Sequence, residues 1–114
     1  MHELGLTQGI IDIAIDNAQQ NNATKILKIS VKAGKLMALV EDSMQFYFDY
    51  LTNDTIAKGA TLVIEHVPVI IKCHACGETS EVDEFGIHIC PKCGEITVEL
   101  VSGKEFYVDS IEVE

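Results

Sequence analysis

A chain of 114 residues with 47% apolar side chains has material for one modest core, or for a small domain with a metal-stapled appendage. Its 18 acidic residues against 8 basic ones leave a formal charge of −10, which argues against nucleic-acid binding, since that rests on neutralising phosphates with Lys and Arg. The apolar stretch Val67 to Ile71 is broken by Pro68, no apolar run is long enough to cross a membrane, and no secretory signal pattern opens the chain, so a cytoplasmic protein with reduced thiols is expected.

The first predicted element is a helix over Leu4 to Gln20. Leu4, Ile11, Ala14, Ile15 and Ala18 form one apolar stripe, Asp12, Asp16 and Gln19 lie opposite, and Asn21-Asn22 ends it. Lys25 to Ala33 then alternates, Leu27, Ile29, Val31 and Ala33 against Lys28, Ser30 and Lys32, the pattern of a strand with one wet face. Gly34-Lys35 turns the chain. Glu41-Asp42-Ser43 places carboxylates at a helix start, and Met44, Tyr47, Phe48 and Leu51 follow at i, i+3, i+4 and i+7. That aromatic stripe reads as core packing rather than as a cofactor pocket. Thr61 to Val67 is a second strand closed by Pro68, and Glu105 to Glu114 is a last one. The expected fold is α+β: two helices packed on a small, mainly antiparallel β-sheet, with an inserted zinc-ribbon-like metal-binding domain. The expected boundaries are 1–68 plus 103–114 for the α+β domain and 69–102 for the metal-binding one.

The metal segment carries the only four cysteines, in two hooks, Cys73-His74-Ala75-Cys76 and Cys90-Pro91-Lys92-Cys93, each followed by a glycine, Gly77 and Gly94. Zinc takes four thiolate or imidazole ligands tetrahedrally, and a two-residue spacer lets both sulfurs of a hook face one centre. The glycine supplies the tight turn that aims backbone amides at the sulfurs. Disulfides are disfavoured by a reducing compartment, and redox C-x-x-C motifs seldom come as a matched pair. Iron suits such hooks equally well, so a rubredoxin-like electron carrier is one alternative. A zinc-ribbon module for nucleic acid is another, opposed by the charge. A zinc hydrolase or deaminase needs an open coordination position and an H-x-E motif, which does not occur, so no enzyme is expected. His74 and His88 flank the hooks and read as loop or sulfur-shell residues rather than replacement ligands. His66 alternates with Leu62 and Ile64 and reads as a structural strand histidine, able to join a second metal site only if the sheet brings it near His2.

That second site is suggested by Met1-His2-Glu3. A free α-amine, the His2 amide nitrogen and its imidazole close a five- and a six-membered chelate ring on one ion, a nitrogen-rich set suited to Ni(II) or Cu(II). Glu3 adds an oxygen ligand or orients the imidazole. Against this stands the plain alternative of a solvated surface histidine beside a glutamate.

Taken in order, Met1-His2-Glu3-Leu4-Gly5-Leu6, the Lys35-Leu36 turn before an acidic helix start, the paired C-x-x-C-G hooks and Ser102-Gly103-Lys104-Glu105 with its acidic-apolar tail resemble the hydrogenase-maturation nickel metallochaperone family, HypA/HybF. The resemblance spans essentially the whole chain. It implies delivery of nickel to [NiFe]-hydrogenases, and in some bacteria toward urease. The implied partners are a GTPase of the same pathway, HypB, and the hydrogenase large subunit, with a homodimer among the assemblies allowed. It also implies a nickel site at Met1 (through its amine), His2 and Glu3, a structural zinc site at Cys73, Cys76, Cys90 and Cys93, and a small α+β nickel-binding domain with an attached zinc domain.

Overall fold

The computed structural model describes residues 3–114; Met1 and His2, two of the three expected nickel ligands, lie outside the described residues. Helix α1 (Glu3–Gln20) buries Thr7, Ile10, Ile11, Ala14 and Ala18. Thr7 tolerates full burial because its hydroxyl donates to the Glu3 carbonyl at 2.6 Å. Leu4, expected on the buried stripe, is instead 48% exposed. It shares the angular position of Ile11 but lies a turn before the packed stretch begins. Asn22 ends the helix with a φ of 57°, the Asn22 amide donating to Gln19 and the Ala23 amide to Ala18. Those paired bonds satisfy the last carbonyls, and asparagine tolerates the left-handed backbone they require.

Strand β1 (Ile26–Gly34) buries Ile26, Ile29, Val31 and Ala33. Leu27, expected inward, faces water, because the alternation holds only from Ile29 onward. At the strand's start the Ile26 amide is taken by the Ile56 carbonyl at 2.9 Å, and Ile26 is the side chain that enters the core. A short 3-10 turn over Lys35–Met37 follows, and then helix α2 (Glu41–Leu51). No side chain caps α2, but Glu41 and Asp42 sit in its first turn, where the helix dipole favours negative charge. Met44 and Phe48 are fully buried, and Thr52 closes the helix by donating its hydroxyl to the Phe48 carbonyl at 2.7 Å.

The remaining strands are β2 (Thr61–Val67), β3 (Ile70–Cys73), β4 (Thr79–Glu81), β5 (Val98–Ser102) and β6 (Phe106–Val113). They form two three-stranded sheets, ordered β2-β1-β6 and β4-β3-β5. Strand β6 runs antiparallel to β1, since the Thr24 amide meets the Glu114 carbonyl while the Gly34 amide meets that of Glu105. The cysteine segment is therefore an insertion between two strands of one sheet, as the α+β reading requires.

The chain divides into two compact units. The described residues of the first fall within Met1–Lys32, Leu39–Glu65 and Tyr107–Glu114, where α1 packs on α2 around Ile11, Ile26, Ile29, Met44 and Phe48. The second comprises Ala33–Ala38 and His66–Phe106. Its centre is β3, antiparallel to both neighbours, with Ile71 opposite Ser80 on one side and Leu100 on the other. Val69, Ile71, Cys73 and Cys90 form its buried interior. Among the described residues no helix is long and apolar enough to cross a membrane.

Candidate metal centre

Strand β3 delivers Cys73 at its end, and the chain then wraps back on itself. The Cys73 amide donates to the Glu78 carbonyl and the Gly77 amide to the Cys73 carbonyl, both at 2.9 Å. The second hook repeats the pair: Cys90 amide to Glu95 carbonyl and Gly94 amide to Cys90 carbonyl, again at 2.9 Å. Gly77 and Gly94 hold φ values of 76° and 78°, a left-handed backbone that costs glycine little and explains why that residue follows each hook.

The two turns bring four Sγ atoms within 4.8 Å of one another. Cys73 and Cys93 approach to 3.5 Å and Cys76 and Cys90 to 3.7 Å. A tetrahedron of sulfurs about 2.3 Å from a zinc ion has edges of about 3.8 Å, so the spacing and the donor chemistry both fit zinc. All four cysteines are free thiols, not disulfides. Cys73 and Cys90 are buried while Cys76 and Cys93 are exposed.

Backbone amides set the electrostatics. The Cys76 amide, then that of Ala75, hold the Cys73 thiol below its ordinary pKa. The Cys93 and Lys92 amides do the same for Cys90, down to about 7. At Cys93 the Glu95 amide pulls downward, but lost hydration and the crowding thiols of Cys73, Cys90 and Cys76 prevail and push it up to about 12. Cys76 is likewise raised: the Glu78 amide opposes, and lost hydration with the Cys73 and Cys90 thiols outweighs it. Four adjacent sulfurs cannot all ionise alone, and a divalent cation would supply the missing positive charge.

Polar neighbours brace the hooks without entering the cluster. Lys92 Nζ of the second hook reaches Glu78 Oε2 beside the first at 3.1 Å. His74 Nε2 faces Glu99 Oε2 at 3.5 Å, and both side chains are more than half exposed. Among the described residues the metal-capable cluster contains the four cysteines and neither His74 nor His88. His66 is exposed on β2. Glu3 is half-buried and opens α1, its carbonyl engaged by Thr7.

The structural role of Ser102-Gly103-Lys104-Glu105 escaped sequence reasoning, which saw in it only a family signature. The Glu105 carboxylate accepts the Gly103 amide at 2.6 Å. That bond, then the Glu105 and Lys104 amides, hold its pKa below the usual carboxylate range. The Ser102 hydroxyl donates to the Pro68 carbonyl at 2.7 Å. The only signal was a glycine at the end of β1 and another just past β5.

Over residues 1–113 the chain matches the family model described as hydrogenase/urease nickel incorporation, metallochaperone, HypA. It is 43% identical to hydrogenase maturation factor HypA of Caldanaerobacter subterraneus subsp. tengcongensis, with 100% of each chain covered. It is 37% identical to the factor of the same name from Dehalococcoides mccartyi, covering 100% of this chain and 95% of that one. The solution structure of the Ni metallochaperone HypA from Helicobacter pylori shares the fold, with a TM-score of 0.69 at 23% identity over 99% of this chain and 97% of that one. A further HypA solution structure gives 0.75 at 24% identity, covering 100% and 97%. The family match covers residues 1–113 and the relatives align over the full length of this chain, which therefore belongs to the HypA family of nickel-incorporation metallochaperones, maturation factors and not enzymes.

Proposed function

We propose that this protein binds Ni(II) at its N-terminus and delivers it during [NiFe]-hydrogenase maturation in the cytoplasm, with urease as a further recipient. The nickel ligands are the Met1 amine, the His2 imidazole and the Glu3 carboxylate. Cys73, Cys76, Cys90 and Cys93 hold a structural zinc ion. In this reading residues 1–68 plus 103–114 are the nickel-binding domain and 69–102 the zinc domain. The pathway's GTPase, HypB, and the hydrogenase large subunit are the partners in transfer.

The observation that carries the reading is the whole-length match to a nickel-incorporation family by a chain that opens Met-His-Glu. The cysteine cluster supports it indirectly. A four-thiolate zinc site is closed, with no coordination position for an exchanging ion, so cargo must bind elsewhere. The membership also takes the place of the electron-carrier and nucleic-acid alternatives.

Isothermal titration of untagged, zinc-loaded protein with Ni(II) tests the assignment, alongside His2→Ala and a version extended ahead of Met1. Both changes should abolish tight nickel binding while zinc content stays the same. Because imidazole and any deprotonated amide compete with protons, nickel affinity should fall below about pH 6.5. Undiminished nickel affinity in His2→Ala sinks the assignment.

A further inference from the structure

Helix α2 turns Met44 and Phe48 fully inward. Its opposite face is unusual for a small acidic protein. Phe46 is 69% and Tyr50 71% exposed, one helical turn apart, so two large aromatic side chains stand side by side in water. Phe46 meets the edge of Tyr47, ring centroids 5.7 Å apart. Asp42 and Asp49, at helical spacings of four and three from Phe46, complete the stripe, and α2 contains no Lys or Arg. The Gln45 side-chain amide donates to Asp49 Oδ1 at 2.8 Å and steadies that carboxylate. Beside the stripe lies a groove of about 230 Å³ between α2 and β2, lined by Glu41, Asp42, Gln45, Leu62 and Ile64.

An exposed apolar patch rimmed by polar groups marks an interaction site, and its chemistry selects the partner. Carboxylates beside aromatic faces suit a guanidinium, which stacks on the rings while its N–H fork pairs with Asp42 or Asp49. The aliphatic wall of Leu62 and Ile64 suits an apolar side chain next to that cation. Nucleic acid and anionic headgroups are repelled by the same carboxylates. A second copy meeting this face on itself would set Asp42 and Asp49 against their own counterparts with no base to compensate.

We propose that the outer face of α2, with its adjoining groove, is a docking surface for a basic, Arg-containing amphipathic segment of a partner protein. The surface uses neither metal site, so it stands or falls apart from the nickel assignment.

The test titrates 15N-labelled, zinc-loaded, full-length protein with a synthetic amphipathic helical peptide of Arg, Leu and Ala, and with its Glu-for-Arg counterpart. With the Arg peptide, amide shifts should be confined to α2 and the Leu62–Ile64 stretch, and affinity should fall as salt rises. Phe46→Ala/Tyr50→Ala and Asp42→Asn/Asp49→Asn change exposed side chains, so native spectra should persist while binding weakens by ~10-fold or more. Shifts scattered over the acidic surface, equal affinity in the variants or equal binding of the Glu peptide each overturn the proposal. So does a dimer in sedimentation that Phe46→Ala/Tyr50→Ala abolishes, since a second copy would then cover the face.

Discussion

Gly34 lies so close to Gly103 that a methyl group added to Gly34 would overlap the Gly103 carbonyl. Both belong to the cysteine-bearing unit. Two backbone bonds stitch the crossing: Gly34 amide to Glu105 carbonyl at 2.6 Å and Leu36 amide to Gly103 carbonyl at 2.9 Å. Gly103 itself has a φ of 123°, and a Cβ there would press on Val69 at 3.1 Å. The passage leaving β1 and the passage entering β6 thus cross backbone on backbone, with no side chain between them.

Gly34→Ala should therefore be severe. The obstructing atoms are main chain, so nothing can swing aside, and overpacking of this kind costs about 2 kcal/mol or more. Urea unfolding checks it, with Gly9→Ala as the contrast. Gly9 sits within α1 with no atom in a methyl group's way, and the gain in helix propensity should stabilise the protein by about 0.5–1 kcal/mol. A loss at Gly34 below about 0.5 kcal/mol, the range of an ordinary surface change, contradicts the crossing.

Phe48 and Phe46 lie two residues apart on α2 and should respond oppositely. Phe48 is fully buried, and Phe48→Ala should cost about 3–5 kcal/mol through lost transfer energy and a residual cavity. Phe46 is 69% exposed, so Phe46→Ala should change stability by no more than about 0.5 kcal/mol. The same urea titration reads both.

That contrast was legible in the chain, because Met44 and Phe48 recur at helical spacing and Phe46 does not. The hooks were legible too, since two-residue spacers and following glycines are local chemistry, and β2 runs from Thr61 to Val67 as the alternation indicates. What escaped depends on distant partners. Leu27 and Ile26 are equally apolar, and the bond from Ile26 to the Ile56 carbonyl accompanies the choice of which turns inward. Leu4 repeats the stripe of Ile11, yet nothing local says that packing begins only at Thr7. The Gly34–Gly103 crossing joins positions far apart in sequence, where a glycine alone signals only a turn. The expected Met1-His2-Glu3 chelate rests on donor chemistry and on the family resemblance, and Met1 and His2 lie outside the described residues.

Acid should erase the contribution of Glu105. Its pKa is held low by the Gly103 amide first, so the folded state favours the ionised carboxylate. That stabilisation is fully present above the unfolded value near pH 4.3 and is lost as pH falls through the lower native one. Glu105→Gln keeps an acceptor for Gly103 but not the charge. Its melting temperature should fall short of wild type at pH 7, and the gap should close towards pH 3. Both proteins lose thiolate ligands in acid alike, so the difference between them is the readout. A gap that is constant or widens in acid contradicts the assignment.

Zinc uptake should expel a pH-dependent number of protons. Without metal, Cys90 titrates at about 7 and Cys93 at about 12, with Cys73 lowered and Cys76 raised. At pH 6 Cys90 begins largely protonated and gives up its proton as the ion is loaded. At pH 8 Cys90 is already largely ionised, and the count should drop. Calorimetry in buffers of different ionisation enthalpy measures it directly. Cys93→Ser removes a thiol that is protonated throughout, so it should release one proton fewer at both pH values. It should also weaken zinc by more than the ~10–100-fold typical of losing an outer partner alone. A count that stays the same from pH 6 to pH 8 would mean that the backbone amides around Cys73 and Cys90 do not hold their sulfurs ready for the ion.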